Sequence, residues 1–116
     1  MTTWQGSCHC GAIAFEVEGD LDQVIECNCS HCSRKGYLLW FVPREQLRLR
    51  TPERTLGTYT FNKRVIEHHF CTRCGCAPFG FGKDSTGART AAVNVRCLEG
   101  VSQQDLVVLP FDGRSR

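Results

Sequence analysis

Nine cysteines fall within 116 residues, and all but Cys97 sit in short clusters: Cys8-His-Cys10, Cys27-Asn-Cys-Ser-His-Cys32 and Cys71-Thr-Arg-Cys-Gly-Cys76. In a short chain such a density stands for a disulfide framework or for metal. Three observations favour metal. The count is odd, and a bridge within Cys-x-Cys would close a strained ring. The opening residues, Met1 to Gly6, carry neither the basic nor the apolar segment of a secretory signal, so a cytoplasmic chain with reduced thiols is expected.

The rest of the composition narrows the partners. No run of 18 apolar residues is present, so no membrane span is expected. Net charge is +2, with the basic residues scattered. A field that weak makes nucleic acid an unexpected partner. The length suits a single domain, read here as residues 1–113 with a loose tail at 114–116.

Ile13 to Glu18 alternates, placing Ile13, Phe15 and Val17 on one face and both glutamates on the other, as a half-buried strand does. Further strand-like runs are Gln23 to Cys27, Tyr37 to Val42, Leu47 to Arg50, Leu56 to Phe61, Val65 to Cys71, Phe79 to Lys83 and Arg89 to Val95. Asn62-Lys63 suits a tight hairpin and Asp84-Ser-Thr-Gly87 a longer loop. Only Pro43 to Leu47 and Val101 to Leu106 suit helical turns, each too short for a packed helix. The expected fold class is all-β, a small zinc-stapled domain of antiparallel sheets with short helical turns only. The cysteine clusters then fall at strand ends.

Cys71-Thr-Arg-Cys-Gly75 has the form of a zinc knuckle, in which two thiolates grip one metal and glycine accepts the tight turn. Tetrahedral zinc needs two more ligands, and Cys8-His-Cys10 followed by Gly11 is a matching pair. Four thiolates would make a closed, structural site. Cys27, Cys29 and Cys32 bring three thiolates together within six residues, which leaves one coordination position open. An open position is the mark of a catalytic zinc, and a metal already carrying three thiolates favours a fourth, substrate thiol kept deprotonated. His31, Cys76 or Cys97 could instead fill that place and make the site structural. Cys76 could also be a spare or resolving thiol, and Cys97 reads as packing. His68 and His69 alternate faces in a strand, so at most one points into any site. His31 is the best placed to act near the open position. An iron–sulfur or redox reading of the Cys-x2-Cys motif is distinguished by colour.

In order and spacing, Gly6-Ser-Cys-His-Cys-Gly11, Cys27-Asn-Cys-Ser-His-Cys32 with Arg34 and Gly36, Phe70-Cys-Thr-Arg-Cys-Gly75, Ala92-Val-Asn-Val-Arg-Cys-Leu98 and Phe111-Asp-Gly113 together resemble the glutathione-dependent formaldehyde-activating enzyme family, which also includes centromere protein V. The resemblance implies a zinc-stapled all-β fold. It also implies two zinc ions per chain, a structural one on Cys8, Cys10, Cys71 and Cys74 and a catalytic one on Cys27, Cys29 and Cys32. The implied activity is that of a carbon–sulfur lyase, forming and breaking S-hydroxymethylglutathione from formaldehyde with glutathione as co-substrate, and His31 or a water would protonate the oxyanion. Arg34, Lys35, Arg64 and Arg96 are candidate partners for the carboxylates of such a small-molecule thiol. The chain departs from the simplest family pattern at Cys76, where a non-thiol such as threonine is common. The alternative reading is a non-catalytic zinc-binding module for a protein or nucleic-acid partner, for which no basic tail is present.

Overall fold

The protein, seen in a computed structural model, is described over residues 2–61 and 66–115. Its strands are β1 (Thr2–Ser7), β2 (Ala14–Gly19), β3 (Gln23–Cys27), β4 (Leu39–Pro43), β5 (Leu47–Leu49), β6 (Leu56–Tyr59), β7 (Glu67–Cys71), β8 (Phe79–Lys83), β9 (Arg89–Asn94) and β10 (Val107–Phe111), with one helix, α1 (Ser30–Lys35), between β3 and β4. They form a three-stranded sheet in the order β1-β2-β5 and a seven-stranded sheet in the order β10-β3-β4-β9-β8-β7-β6. Among the described residues no helix is long and apolar enough to cross a membrane.

The alternation in β2 sets the interior. Phe15 and Val17 are fully buried, whereas Glu16 and Glu18 face Arg48 of β5 at 3.6 and 3.4 Å. Leu47 of β5 joins the apolar set, and Val24, Trp40, Val42, Phe79, Ala91 and Val93 meet it from the larger sheet. Phe15 and Phe79 touch edge to face, with centroids 5.2 Å apart. Residues directly opposite in paired strands share a face, so the register separates the two sides of the large sheet. Trp40, Val93, Phe79, His69 and Thr58 form one inward row. Phe41, Ala92, Gly80, His68 and Tyr59 form the next row on the opposite face.

Two expectations are corrected. The sheets are not wholly antiparallel, because β10 runs parallel to β3 at the edge of the large sheet. Its sequence, Val-Val-Leu-Pro-Phe, has no alternation and all five residues are exposed. Pro110 lacks an N–H for a ladder, which an edge strand tolerates. Nor are helical turns the only helical structure. Ser30–Lys35 forms an α-helix whose N-cap is Cys29, its thiol accepting from Cys32 N, a role that Ser, Thr, Asp or Asn ordinarily fills. Gly36, at φ 70°, closes the helix by donating its N–H to Cys32 O, as a left-handed C-terminal glycine does. The helical turns expected near Pro43 and Val101 are present as 3-10 turns at Arg44–Gln46 and Gln103–Asp105. β1 was absent from the expected strands. The Asn62-Lys63 hairpin, Arg64 and the start of the Val65 run lie outside the described residues. Of the expected tail, Arg114 and Ser115 belong to a 3-10 turn, and Arg114 N donates to Asn28 Oδ1 at 2.8 Å.

Gly6 of β1 packs so closely that a Cβ there would overlap the ring of Phe15 and lie 3.0 Å from Leu98 Cδ2. A Cβ on Gly82 of β8 would meet Ile66 Cγ1 at an ordinary 3.5 Å. Gly6→Ala is therefore expected to cost about 1–3 kcal/mol. Gly82→Ala should stay within about 0.5 kcal/mol of the parent. Urea unfolding midpoints of the two variants measure the difference.

Candidate metal centres

The end of β1 carries Cys8 and Cys10, and the end of β7 carries Cys71 with Cys74 in the following turn. Their sulfurs all lie within 4.8 Å of one another, with Cys8 to Cys10 at 3.7 Å and Cys10 to Cys71 at 3.6 Å. A tetrahedron with zinc–sulfur bonds of about 2.3 Å has edges of about 3.8 Å, so the spacing fits zinc. None of these cysteines is in a disulfide. Backbone N–H groups turn toward the sulfurs: Ile13 N donates to Cys8 at 3.3 Å, and Arg73 N and Cys74 N donate to Cys71 at 3.4 Å. Gly75, at φ 83°, makes the knuckle turn.

The thiols there do not share one acidity. The N–H of Cys76 foremost, then that of Cys10, lowers Cys74 to about 5. At Cys10 the N–H of Ala12 favours ionisation, but burial and the neighbouring thiols Cys71, Cys8 and Cys74 outweigh it and raise the group to about 11. Four sulfurs this close cannot all be anionic without a cation among them. The donor set thus suits a divalent, thiophilic metal.

Cys27 closes β3, Cys29 caps α1 and Cys32 lies within the helix, and these three sulfurs also come within 4.8 Å of one another. Cys29 N reaches Cys27 Sγ at 3.5 Å and Cys32 N reaches Cys29 Sγ at 3.3 Å. Burial opposes ionisation of Cys29, but the N–H of Cys32 and the surrounding donors lower it on balance. Burial pushes Cys32 far above the ordinary thiol range. Two clusters able to chelate a metal are therefore present, one of four thiols and one of three.

Among the described residues no fourth histidine, cysteine or carboxylate joins the three-thiol cluster. The Cys97 thiol stands 3.9 Å from Asn94 Nδ2 and is raised to about 11 by burial. The carbonyl of Cys76 accepts from Cys71 N at 2.8 Å, beside the other cluster. His31 turns into a nest of rings, 4.3 Å from His68 and 5.3 to 5.7 Å from Phe61, Tyr59 and Tyr37. Its buried Nδ1 has no hydrogen-bond partner among the described residues.

The chain's C-terminal segment braces the three-thiol cluster. Asn28 N donates to Phe111 O at 3.1 Å, and Asn28 Nδ2 donates to Asp112 Oδ1 at 3.0 Å. Gly113 then lies so near that a Cβ there would overlap Cys27 Sγ and stand 3.3 Å from Cys29 Cβ. The same cluster opens on a cavity of about 970 Å³ that Tyr37, His68 and Arg34 also line. Those three residues border as well a second recess of about 520 Å³, which holds His31 and Lys35.

Of the candidate cations, Arg34 donates to Ser30 O at 2.8 Å and Arg96 Nε to Gly36 O at 3.0 Å, both at the ends of α1. Lys35 Nζ stands 5.8 Å over Phe70. Sequence reasoning left open which histidine of the pair entered a site. His68 does, lining the large cavity from the outer face of β7, while His69 borders the smaller recess only and is buried on the inner face with Nδ1 3.1 Å from Thr58 Oγ1. Burial, then repulsion from His31, lowers His68 to about 4. Burial also lowers His31, so both imidazoles are neutral at pH 7. The brace through Asn28, Asp112 and Gly113 was missed as well, for only the Phe111-Asp-Gly113 motif hinted at it.

The family model described as glutathione-dependent formaldehyde-activating enzyme matches residues 3–106. A crystal structure of a Rhodobacter sphaeroides protein is similar in fold with a TM-score of 0.79 and 33% identity, covering 91% of this chain and 97% of that one. The family match runs through the strands and turns that carry the cysteine clusters, and the chain belongs to the glutathione-dependent formaldehyde-activating enzyme family.

Proposed function

We propose that this chain is a zinc-dependent carbon–sulfur lyase that forms and breaks S-hydroxymethylglutathione from glutathione and formaldehyde. The observation that carries this reading is a cluster of three thiols that no fourth protein donor completes among the described residues, set at the edge of a large cavity. Family membership supports an enzymatic role. Cys8, Cys10, Cys71 and Cys74 would hold a structural zinc, and Cys27, Cys29 and Cys32 a catalytic one. When bound by three thiolates, zinc supplies an open position where a further sulfur stays deprotonated yet electron-rich.

The chain's own groups do the rest. The N–H groups of Cys29 and Cys32 fix two sulfurs at one edge of the cavity. Arg34 and Lys35, in the last turn of α1 and lining the smaller recess, are placed to receive the carboxylates of the thiol. The neutral imidazole of His68, which lines both recesses, accepts a hydrogen bond from the thiol and helps pass its proton to water. The sulfur electron pair then forms the carbon–sulfur bond, the carbonyl pair moves onto oxygen, and water returns a proton there. His31, packed on His68, fixes the orientation of that ring. The lyase direction runs the same steps backwards.

Elemental analysis should find two zinc ions per chain in a colourless protein. Cys29→Ser should fold, keep one zinc and consume formaldehyde with glutathione no faster than the uncatalysed reaction. The reading fails if zinc-edge spectroscopy of the wild type shows no new sulfur ligand on adding glutathione and consumption stays at background. Gly113→Ala should displace Cys27 and weaken zinc at the three-thiol cluster by about 10- to 100-fold, measured by competition with a chromophoric chelator. His68→Gln is expected to lower kcat by about 10²- to 10⁴-fold with zinc content unchanged, read from steady-state rates beside metal analysis.

A further inference from the structure

The cavity is far larger, and far less polar, than the hydroxymethyl group of the adduct requires. A hydroxymethyl group needs little more room than one water, about 30 Å³. The space beside Cys27, Cys29 and Cys32 is about 970 Å³, the upper part of the range, about 300–1,000 Å³, that encloses drug-sized ligands. Its floor is the outer face of the seven-stranded sheet. Ala92 lies opposite Phe41 on one side and Gly80 on the other, so the middle of the sheet is a hollow between larger side chains. Ile25 and Leu39, themselves paired, continue the apolar surface toward Cys27, which is opposite Phe111 of β10.

The two arms of glutathione carry carboxylates, an ammonium and peptide groups, all of which need hydrogen-bond partners when buried. Ile25, Leu39, Phe41 and Ala92 supply none. Among the described residues the cations stand at the rims: Lys35 borders the smaller recess, Arg34 stands where the two recesses meet, and Arg114 lines the large cavity beside Gly113, at the edge next to the three-thiol cluster rather than over Ala92. A thiol adduct held at the three-thiol cluster therefore has a polar side and an apolar side, and the apolar side is the larger. A second copy of the chain seated on this face would also cover Phe41, which is 54% exposed. The hollow runs up to the cysteine cluster, however, and a substituent on the reacting carbon reaches it without leaving the site.

We infer that the sheet hollow is a binding site for an alkyl or aryl substituent on the reacting carbon, so that the adducts handled include those of aldehydes much larger than formaldehyde. This rests on the proposed function, since the sulfur must be held at the three-thiol cluster. The chemistry is unchanged and balances in the same way: thiol and aldehyde combine, one carbon–sulfur bond forms, and the thiol proton ends on the former carbonyl oxygen.

Calorimetric titration of the zinc-loaded protein with the stable thioethers S-methylglutathione and S-hexylglutathione tests the site directly. Each methylene taken into an apolar pocket strengthens binding by about fourfold, so the hexyl compound should bind at least about tenfold more tightly. Phe41→Ser, at an exposed position expected to tolerate the change, should reduce that ratio several-fold. Ala92→Leu, which fills the hollow, should bring it close to one. In turnover, hexanal with glutathione should be processed above the uncatalysed rate. Equal affinity for the two thioethers, with formaldehyde still processed, overturns the inference and leaves the proposed function standing. Light scattering that shows a dimer, together with no binding of the hexyl compound, overturns it in favour of a second copy on this face. If neither aldehyde is consumed above background and glutathione adds no sulfur ligand, the proposed function falls and the inference falls with it.

Discussion

Everything in this molecule is arranged around sulfurs brought nearer than uncompensated thiolates tolerate. Cys8 and Cys10 come from the turn that joins β1 to β2 in the small sheet, Cys71 and Cys74 from the end of β7 in the large one and the turn after it, and their sulfurs approach to 3.6 and 3.7 Å. A cation there would fasten one sheet to the other beside the apolar core, to which Cys8 and Cys71 belong. The backbone is already turned toward that state. N–H groups of Ile13, Arg73 and Cys74 point at sulfur, and Gly75 adopts a conformation that other residues resist. In the proposed function, closing loops so distant in sequence around metal would add a constraint that a core of this size would otherwise have to supply.

The three-thiol cluster is built on a different plan. It uses a six-residue helix, too short to stand by its own propensity. Cys29 caps the first turn, Gly36 ends the last, and Arg96 from beyond β9 holds the Gly36 carbonyl. The opposite flank is held by Asn28, whose side chain and N–H link it to Phe111, Asp112 and Arg114. Pinned at both ends, the helix holds Cys32 and its cap Cys29 beside Cys27 of β3, so three sulfurs meet on one side.

Much of this could be read in the sequence, and what could not has physical causes. Cysteine spacing marked both clusters, because ligands on one turn must be near neighbours. Alternation marked β2, because Phe15 and Val17 are buried on one side only. The β10 strand gave no such signal, being exposed throughout and interrupted by Pro110. Helix α1 was hidden because its cap is a thiol. At β7 the His68-His69 pair shows where sequence stops. Alternation requires the two rings to part, but only the register, with His68 opposite Gly80 and His69 opposite Phe79, says which one meets the cavity.

The same limit governs substrate. A metal-binding motif is local, and its residues can be counted along the chain. The hollow beside it is not, for it takes one position from each of several strands: Ile25 from β3, Leu39 and Phe41 from β4, Gly80 from β8 and Ala92 from β9. None of these is unusual alone. A small residue in β8 or β9 reads as indifferent until pairing sets Gly80 and Ala92 side by side beneath larger neighbours. Two chains could thus share every cysteine and every turn glycine while differing at Ala92 alone, and would bind the same metals but admit different carbon chains. In the proposed function, chemistry at sulfur would be set by the clusters, and the breadth of aldehyde accepted by the face of the sheet.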